Sequence, residues 1–376
     1  MAARKRPAAG QATTAQGSAT QGRKRSRTDE YDDVACLGEG GFGAVVMARN
    51  RATGKTVAIK RLSTPSATSV ADLQREAGFL RACSGNPYVV GFEALVVHPA
   101  TGRLSLVMEH VAGPNLHNFL WDRRHGQPLP EPTVRAFMWK LLTGAKMMHA
   151  RHVVHRDIKP ANILVGQDGE LVKICDLGLA VSMVEPPHYT QAGTPFYTAP
   201  EMLLQKPDYD TLVDTWSLGC VMAEMLAGGK ALFPSGRGED DYVDEISQLW
   251  SIIRVLGMPD ERTWPGFDSL PLAMAVQLLP LPAGHEHNRL RDLFPEEKLS
   301  EQGFQVLQGL LTCNPDKRLT AAKALKHPWF AAPRPAPAAA TALPRKKATP
   351  LSLIPPAAPE KNVLNIQVAM WNAQRV

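Results

Sequence analysis

Three short runs in a fixed order constrain this chain more than anything in its composition. The first is His155-Arg156-Asp157-Ile158-Lys159-Pro160-Ala161-Asn162-Ile163-Leu164. Nineteen residues beyond Asp157 begins Asp176-Leu177-Gly178, and Ala199-Pro200-Glu201 closes the stretch. Singly, each run has an innocent reading as a polar turn or a solvated charge. Their ordered succession, behind a glycine-rich segment and a strand-end lysine, calls for one site that uses them together.

The glycine-rich segment is Leu37-Gly38-Glu39-Gly40-Gly41-Phe42-Gly43-Ala44-Val45, a GxGxxG pattern. Glycines let a hairpin backbone approach phosphates without Cβ clashes. The pattern is weak alone, and it does not open a helix, which removes the context of a dinucleotide fingerprint or a P-loop. Lys60 ends the apolar run Val57-Ala58-Ile59-Lys60, seventeen residues after Gly43. Glu76 follows where Val70, Leu73, Ala77 and Leu80 repeat at helical spacing. A Lys60–Glu76 ion pair would hold an ammonium against nucleotide phosphates. A solvated lysine and a surface glutamate are the bland alternatives.

Around these runs the chain divides into three. Residues 1–30 are rich in Ala, Gly, Gln, Ser and Thr and cannot bury enough surface to fold. Residues 331–360 hold eight prolines and ten alanines, the composition of an extended linker, and the tail runs on to 376 with a mildly apolar stretch from Val363 to Trp371. The folded part is read as residues 31–330. Its first third reads as strands: Ala44 to Ala48 and Val57 to Lys60 around the turn Asn50-Arg51-Ala52-Thr53-Gly54, then Leu104 to Val111. From Glu131 the pattern is helical, with Pro132 in the first turn and Val134, Phe137, Met138, Leu141, Leu142, Ala145 and Met148 in one stripe. The class is α+β.

Charge and cysteines exclude several functions. The net charge is +6, but the tails carry the excess: seven basic against two acidic residues in 1–30, and six against one in 331–376. Residues 31–330 therefore sum to −4, which argues against a basic domain face reading nucleic acid. The five cysteines are odd in number and form no CxxC pair. That speaks against a disulfide framework or zinc site and for a reducing compartment. No run approaches the ~18 apolar residues of a membrane helix, and no apolar stretch follows Arg4-Lys5-Arg6 to make a secretory signal.

Together the runs resemble the eukaryotic protein kinases over nearly all of residues 31–330. The resemblance implies the bilobal kinase fold, with a small β-rich lobe over 31–111 and a larger helical lobe over 112–330. It implies transfer of the ATP γ-phosphoryl to serine or threonine hydroxyls of protein substrates, with Mg²⁺. In that family pattern Asp157 orients the acceptor hydroxyl and takes its proton, and Lys159 neutralises the migrating phosphoryl. Asn162 and Asp176 are the hard oxygen donors for Mg²⁺, and Lys60 with Glu76 positions the phosphates. A lysine two residues after Asp157 is similar to the serine/threonine kinases. The segment from Leu37 to Val45 covers the phosphates; Leu37, Val45 and Ala58 roof the adenine and Leu164 floors it. Glu109 C=O and Val111 N–H supply hinge bonds, Met108 guards the back pocket and Asn115 reaches the ribose. Thr194 contacts Asp157, Asp214 holds the catalytic loop backbone, and Glu201 pairs with Arg318. The rival class is a pseudokinase scaffold; such chains usually lack at least one of Lys60, Asp157, Asn162 and Asp176, and all four are here.

The second half narrows the resemblance. Leu232-Phe233-Pro234 and the run Leu256-Gly257-Met258-Pro259-Asp260-Glu261-Arg262-Thr263-Trp264-Pro265 resemble the insert of the cyclin-dependent kinases, within the CMGC group, and especially the plant F-type members. Several positions depart from that family. Gln74 stands where the cyclin-binding helix carries an isoleucine, so a cyclin or other regulator at the Glu76 helix has a poorer anchor. Gly41-Phe42 replaces the inhibitory Thr-Tyr pair. Thr198 replaces an arginine before Ala-Pro-Glu, and Ala192-Gly193 replaces Val-Val, which predicts a relaxed preference for proline after the phosphosite. Leu177 replaces the usual phenylalanine. Thr190 aligns with the threonine that an upstream activating kinase phosphorylates, with Arg156 as the receiving cation. Cys175 reads as a buried inert thiol or a reactive one at the nucleotide pocket.

Arg4-Lys5-Arg6-Pro7, Arg23-Lys24-Arg25-Ser26-Arg27 and Arg345-Lys346-Lys347 are basic clusters on the tails. They read as nuclear import signals, as solvated tails, or as weak contacts to nucleic acid or acidic lipid. The expected location is nucleus and/or cytoplasm.

Overall fold

Side-chain alternation sorts the first third of the chain onto the two faces of one sheet. β1 (Tyr31–Gly40), β2 (Gly43–Asn50), β3 (Thr56–Arg61), β4 (Phe92–Val97) and β5 (Leu104–Glu109) lie in the order β1-β2-β3-β5-β4, every pair antiparallel. The period of two sends Val57 and Ile59 to the outer face, where they pack with Ala48, Val96 and Val107. Ala58 and Lys60 therefore take the inner face, opposite Met47 and Val45 on β2 and Met108 and Leu106 on β5. The β2–β3 turn is held by Asn50, whose Oδ1 accepts from the backbone N–H of Ala52 and Thr53, while Gly54 supplies φ +70°. The computed structural model describes residues 30–40, 43–62, 66–98, 101–184, 192–235, 245–278 and 287–331. The tail readings, Gly41, Phe42 and Thr190 lie outside the described residues.

α1 (Ala67–Ala82) crosses between β3 and β4. Ser66 and Ser69 start it as a reciprocal cap, each side chain accepting from the other's backbone N–H at 3.1 and 2.8 Å. Its buried face is Leu73, Glu76, Ala77, Phe79 and Leu80. One sequence expectation needs correction. The strand expected to reach Val111 stops at Glu109, because the ladder runs out of partners: β3 ends opposite Glu109 at Val57, and β4 opposite Met108 at Phe92.

The larger lobe is helical. α2 (Leu116–Asn118) leads through a π-type turn over Phe119–Arg123 to α3 (Glu131–His149), whose seven predicted stripe residues are all buried. α4 (Pro200–Leu203) and α5 (Leu212–Leu226) follow. All fifteen residues of α5 are buried, including the polar Asp214, Thr215, Ser217 and Glu224. α6 (Glu245–Leu256), α7 (Ala273–Gln277), α8 (Leu290–Leu293), α9 (Glu301–Leu310) and α10 (Ala321–Ala324) complete the lobe. Glu131 ties its far end together, accepting from the N–H and hydroxyl of Ser300 and from the Trp329 indole.

Two small antiparallel pairs lie between sheet and helices: β6 (Val153–Val154) with β9 (Val181–Ser182), and the hairpin of β7 (Ile163–Val165) with β8 (Val172–Ile174). The connection after α1 is stitched to β8, Val90 N–H to Ile174 C=O at 2.9 Å and Ile174 N–H to Tyr88 C=O at 2.8 Å. Lys173 of β8 also reaches Glu109 Oε2 at 2.7 Å, and Gly91 N–H donates to the same oxygen at 2.9 Å. The cleft beneath the sheet thus has a fixed floor.

Candidate active site

Lys60 leaves the inner face of β3 and meets two carboxylates at once. Its Nζ lies 2.8 Å from Glu76 Oε2 and 3.1 Å from Asp176 Oδ1. Burial alone would lower the ammonium's pKa, but the charges of Asp176 and Glu76 outweigh it and hold the group above its ordinary value. Glu76, only 3% exposed, is raised by burial despite the nearby Lys60. Asp176 is lowered: burial opposes its charge, and the Lys60 ammonium more than compensates. Its side chain remains 48% exposed to the cleft. Gly178 sits beside all three; a Cβ there would lie 3.3 to 3.7 Å from their charged atoms.

Asp157 anchors a second group. Thr194 Oγ1 donates to Asp157 Oδ1 at 2.8 Å, while Lys159 Nζ lies 2.9 Å from Oδ2. Asn162 Nδ2 donates to Asp157 C=O at 2.9 Å and to Oδ2 at 3.0 Å. Both hydrogens of that amide are thereby used, which leaves Asn162 Oδ1 as a bare oxygen acceptor.

The loop carrying Asp157 is held from below. Asp214, fully buried on α5, accepts the N–H of His155 on Oδ2 and of Arg156 on Oδ1, each at 2.9 Å, and meets His149 Nε2 at 2.9 Å. Burial pushes its pKa up, but the His149 hydrogen bond leads a set of contacts that pulls it below the usual range. Those two N–H bonds help hold Arg156 at φ +67°, and Asp176 adopts φ +62°. Left-handed backbone at two non-glycine residues is strain of the kind that collects at working sites. His155 Nε2 lies 2.9 Å from Cys175 C=O, and its Nδ1 accepts the Asp157 N–H. Only the neutral Nε2–H tautomer satisfies both bonds, and it clamps the Asp157 and Asp176 loops to each other.

The remaining candidates frame the cleft. Gly38, Glu39 and Gly40 pair with Val45, Ala44 and Gly43 across the β1–β2 hairpin. Gly43 is obligatory, because a Cβ there would sit 1.9 Å from Arg61 C=O, whereas Gly38 faces open space. Leu37 is half exposed, Ala58 is buried, and Leu164 packs against the core. Asn115 bridges to Leu164, and its Oδ1 caps α2 by accepting from Asn118 N–H at 2.8 Å. Glu109 and Val111 flank the turn between lobes, and the Glu109 side chain is occupied by Lys173 and Gly91. The sequence reading missed that contact; the lone lysine of Val172-Lys173-Ile174 was its only trace. Arg156 donates to Leu179 C=O at 2.7 Å and to the Tyr209 hydroxyl at 3.1 Å. Burial pushes the Cys175 thiol far up, which disfavours the thiolate. Arg318 and Glu201 form a buried two-bond pair at 2.6 and 2.7 Å.

The arrangement can hold a polyphosphate against Lys60, a hard cation at Asp176 and Asn162, and a hydroxyl at Asp157. The comparisons agree. The protein kinase domain family matches residues 31–330. The chain is 44% identical over 308 residues to the "Putative cyclin-dependent kinase F-2" of Oryza sativa subsp. japonica, covering 80% of this chain and 90% of that one. It is 37% identical over 323 residues to the "Cyclin-dependent kinase G1" of Arabidopsis thaliana, covering 80% of this chain and 49% of that one. With Lys60, Glu76, Asp157, Asn162 and Asp176 all assembled, a pseudokinase scaffold is not favoured. No described helix is long and apolar enough to cross a membrane. The chain belongs to the protein kinase family, as a serine/threonine protein kinase of the cyclin-dependent kinase-like, CMGC branch.

Proposed function

We propose that this kinase transfers the γ-phosphoryl of ATP with Mg²⁺, Asp157 serving as acceptor of the substrate hydroxyl's proton. The observation that carries the reading is the exhaustion of the Asn162 amide on Asp157. It leaves Asn162 Oδ1 as an acceptor only, and with Asp176 that makes two hard oxygen donors of the kind that suit Mg²⁺. Among the described residues no group of three His, Cys, Asp or Glu gathers, and Mg²⁺ characteristically completes its shell with phosphates and water rather than a protein cage. When bound, Mg²⁺ neutralises phosphate charge. Lys60 positions the phosphates, with Leu37 to Val45 above them. Leu37, Val45, Ala58 and Leu164 sandwich the adenine, with Glu109 and Val111 at its edge and Asn115 toward the ribose. Lys159, shared between Asp157 and Thr194, faces the migrating phosphoryl.

We read Thr190 as the activating phosphosite and Arg156 as one of its receivers. Nuclear import through the basic tails is part of the same proposal. A cyclin has little to grip on α1: its outward residues are Ala71, Gln74, Arg75, Gly78 and Arg81, with no large apolar anchor. Proline direction is weak, since Thr198 donates to Thr194 C=O in place of the family's arginine. The test is a peptide panel with purified chain, ATP and Mg²⁺. Serine and threonine peptides are expected to be phosphorylated with less than about tenfold preference for a following proline, and Thr190→Ala, unlike Ser182→Ala, to abolish most of that activity. Strict Ser-Pro selectivity, or equal activity in both variants, refutes the respective part.

A further inference from the structure

The turn after α2 presents cations and an aromatic ring that catalysis does not use. Phe119–Arg123 forms a π-type turn, and His125 beyond it takes φ +53°. Wide turns and left-handed non-glycine residues both concentrate at functional places. Leu116 and Leu120 anchor the segment in the core with no exposure. Trp121, in contrast, keeps 43% of its surface exposed. Two glycines from two loops seat its ring: a Cβ on Gly229 would lie 2.8 Å from the indole Nε1, and one on Gly126 3.6 Å from Cζ3. His117 lies beside it, ring centres 6.4 Å apart.

Arg123, Arg124 and His125 follow the ring along the turn, with Asp122 as the acid among them, and Lys230 directly follows Gly229, which lies against the ring. Arg123, His125 and Lys230 are exposed. Neither arginine nor Lys230 makes an ion pair among the described residues. Arg124 Nε is buried and meets no acceptor. The cluster sits on a domain whose residues 31–330 carry a net charge of −4, so it is a local exception to its surroundings.

An exposed tryptophan with arginine and lysine on the same two turns is the composition of a binding hot spot. We propose that this surface docks an acidic, aromatic-containing segment of protein substrates, with carboxylates meeting Arg123, Arg124 and Lys230 and an apolar side chain covering Trp121. α2 begins at Asn115, which bridges to Leu164 of the cleft floor, so a docked segment is tethered close to the catalytic loop. This deepens the kinase reading by naming how substrates are selected, and it rests on that reading for its catalytic consequence.

The probe is a fluorescent 12-residue peptide of the repeat Glu-Glu-Phe-Gly, read by polarisation with the full chain. Wild type is expected to bind it about tenfold or more tighter than does the Arg123→Glu/Lys230→Glu variant, and salt is expected to weaken binding. Fused to a short serine peptide, the same repeat is expected to lower KM about tenfold with kcat unchanged, and the variant to lose that gain while phosphorylating the unfused peptide normally. Trp121→Ala is expected to weaken binding of both repeat and fusion. No KM gain, an equal gain in the charge variant, or equal binding of a Lys-Lys-Phe-Gly repeat overturns the proposal. So does a single-stranded oligonucleotide that binds as tightly as the repeat and suffers the same loss in the variant. Failure of the unfused peptide to be phosphorylated at all strikes the kinase reading, while the polarisation arm still reports on the surface.

Discussion

Lys60 and Glu76 show how unequal two members of one ion pair can be. Lys60 has a second carboxylate, Asp176, at 3.1 Å, whereas Glu76 is 3% exposed and its charge depends on Lys60. Removing Lys60 leaves the Glu76 carboxyl buried without its cation, and breaking a buried pair from that side costs about 3–5 kcal/mol. Removing the charge of Glu76 leaves Lys60 paired. Lys60→Met is therefore expected to lower both activity and the urea midpoint, and Glu76→Gln to lower activity while keeping stability within about 1 kcal/mol of wild type. Paired activity and denaturation measurements check this; equal destabilisation in both variants counts against it. The pair was legible in the sequence because Lys60 ends an apolar strand behind the glycine-rich segment and Glu76 falls on the apolar stripe of the next helix. For Glu109 the sequence offered only a backbone role. Its carboxylate's work, joining Lys173 to Gly91, links residues far apart in the chain, and no local pattern signals it.

At the scale of elements, helix periodicity was the most readable signal. The stripe from Val134 to Met148 is buried throughout, because one face of a helix repeats over five turns. Strand ends were less so, as the early stop of β5 shows; pairing partners, not propensity, decide where a strand ends. The burial of α5 has a chemical consequence. Glu224 on α5 accepts from the Tyr197 hydroxyl at 2.7 Å, and burial lifts its carboxyl from 4.5 to about 7 although that hydrogen bond opposes the rise. A group raised in the folded state contributes stability that is complete below its unfolded value of 4.5 and lost as pH climbs through about 7. Wild type is thus expected to lose stability between about pH 4.5 and 7, up to roughly 3 kcal/mol from this group, with little further change above that. Glu224→Gln keeps an acceptor for Tyr197 and is expected to flatten that slope. Urea midpoints of both proteins across this range measure it, and parallel slopes contradict it.

Over the whole molecule, the proposed catalytic groups come from both lobes and depend on one seam. The sheet brings Lys60, α1 brings Glu76, and the large lobe brings Asp157, Asn162 and Asp176, with β8 hydrogen-bonded to the connection after α1. Asp157 stands apart from Lys60: its partners are Thr194, Lys159 and Asn162, all from the large lobe. Nucleotide binding and phosphoryl transfer should therefore separate in a variant that alters Asp157 alone. Asp157→Asn preserves shape and removes the proton acceptor. ATP affinity by calorimetry together with single-turnover phosphorylation of a serine peptide tests this most directly. The expected result is ATP affinity within about twofold of wild type and transfer slowed by about 10²–10⁴. Transfer at the wild-type rate in Asp157→Asn, or loss of ATP binding in step with it, contradicts the assignment of Asp157.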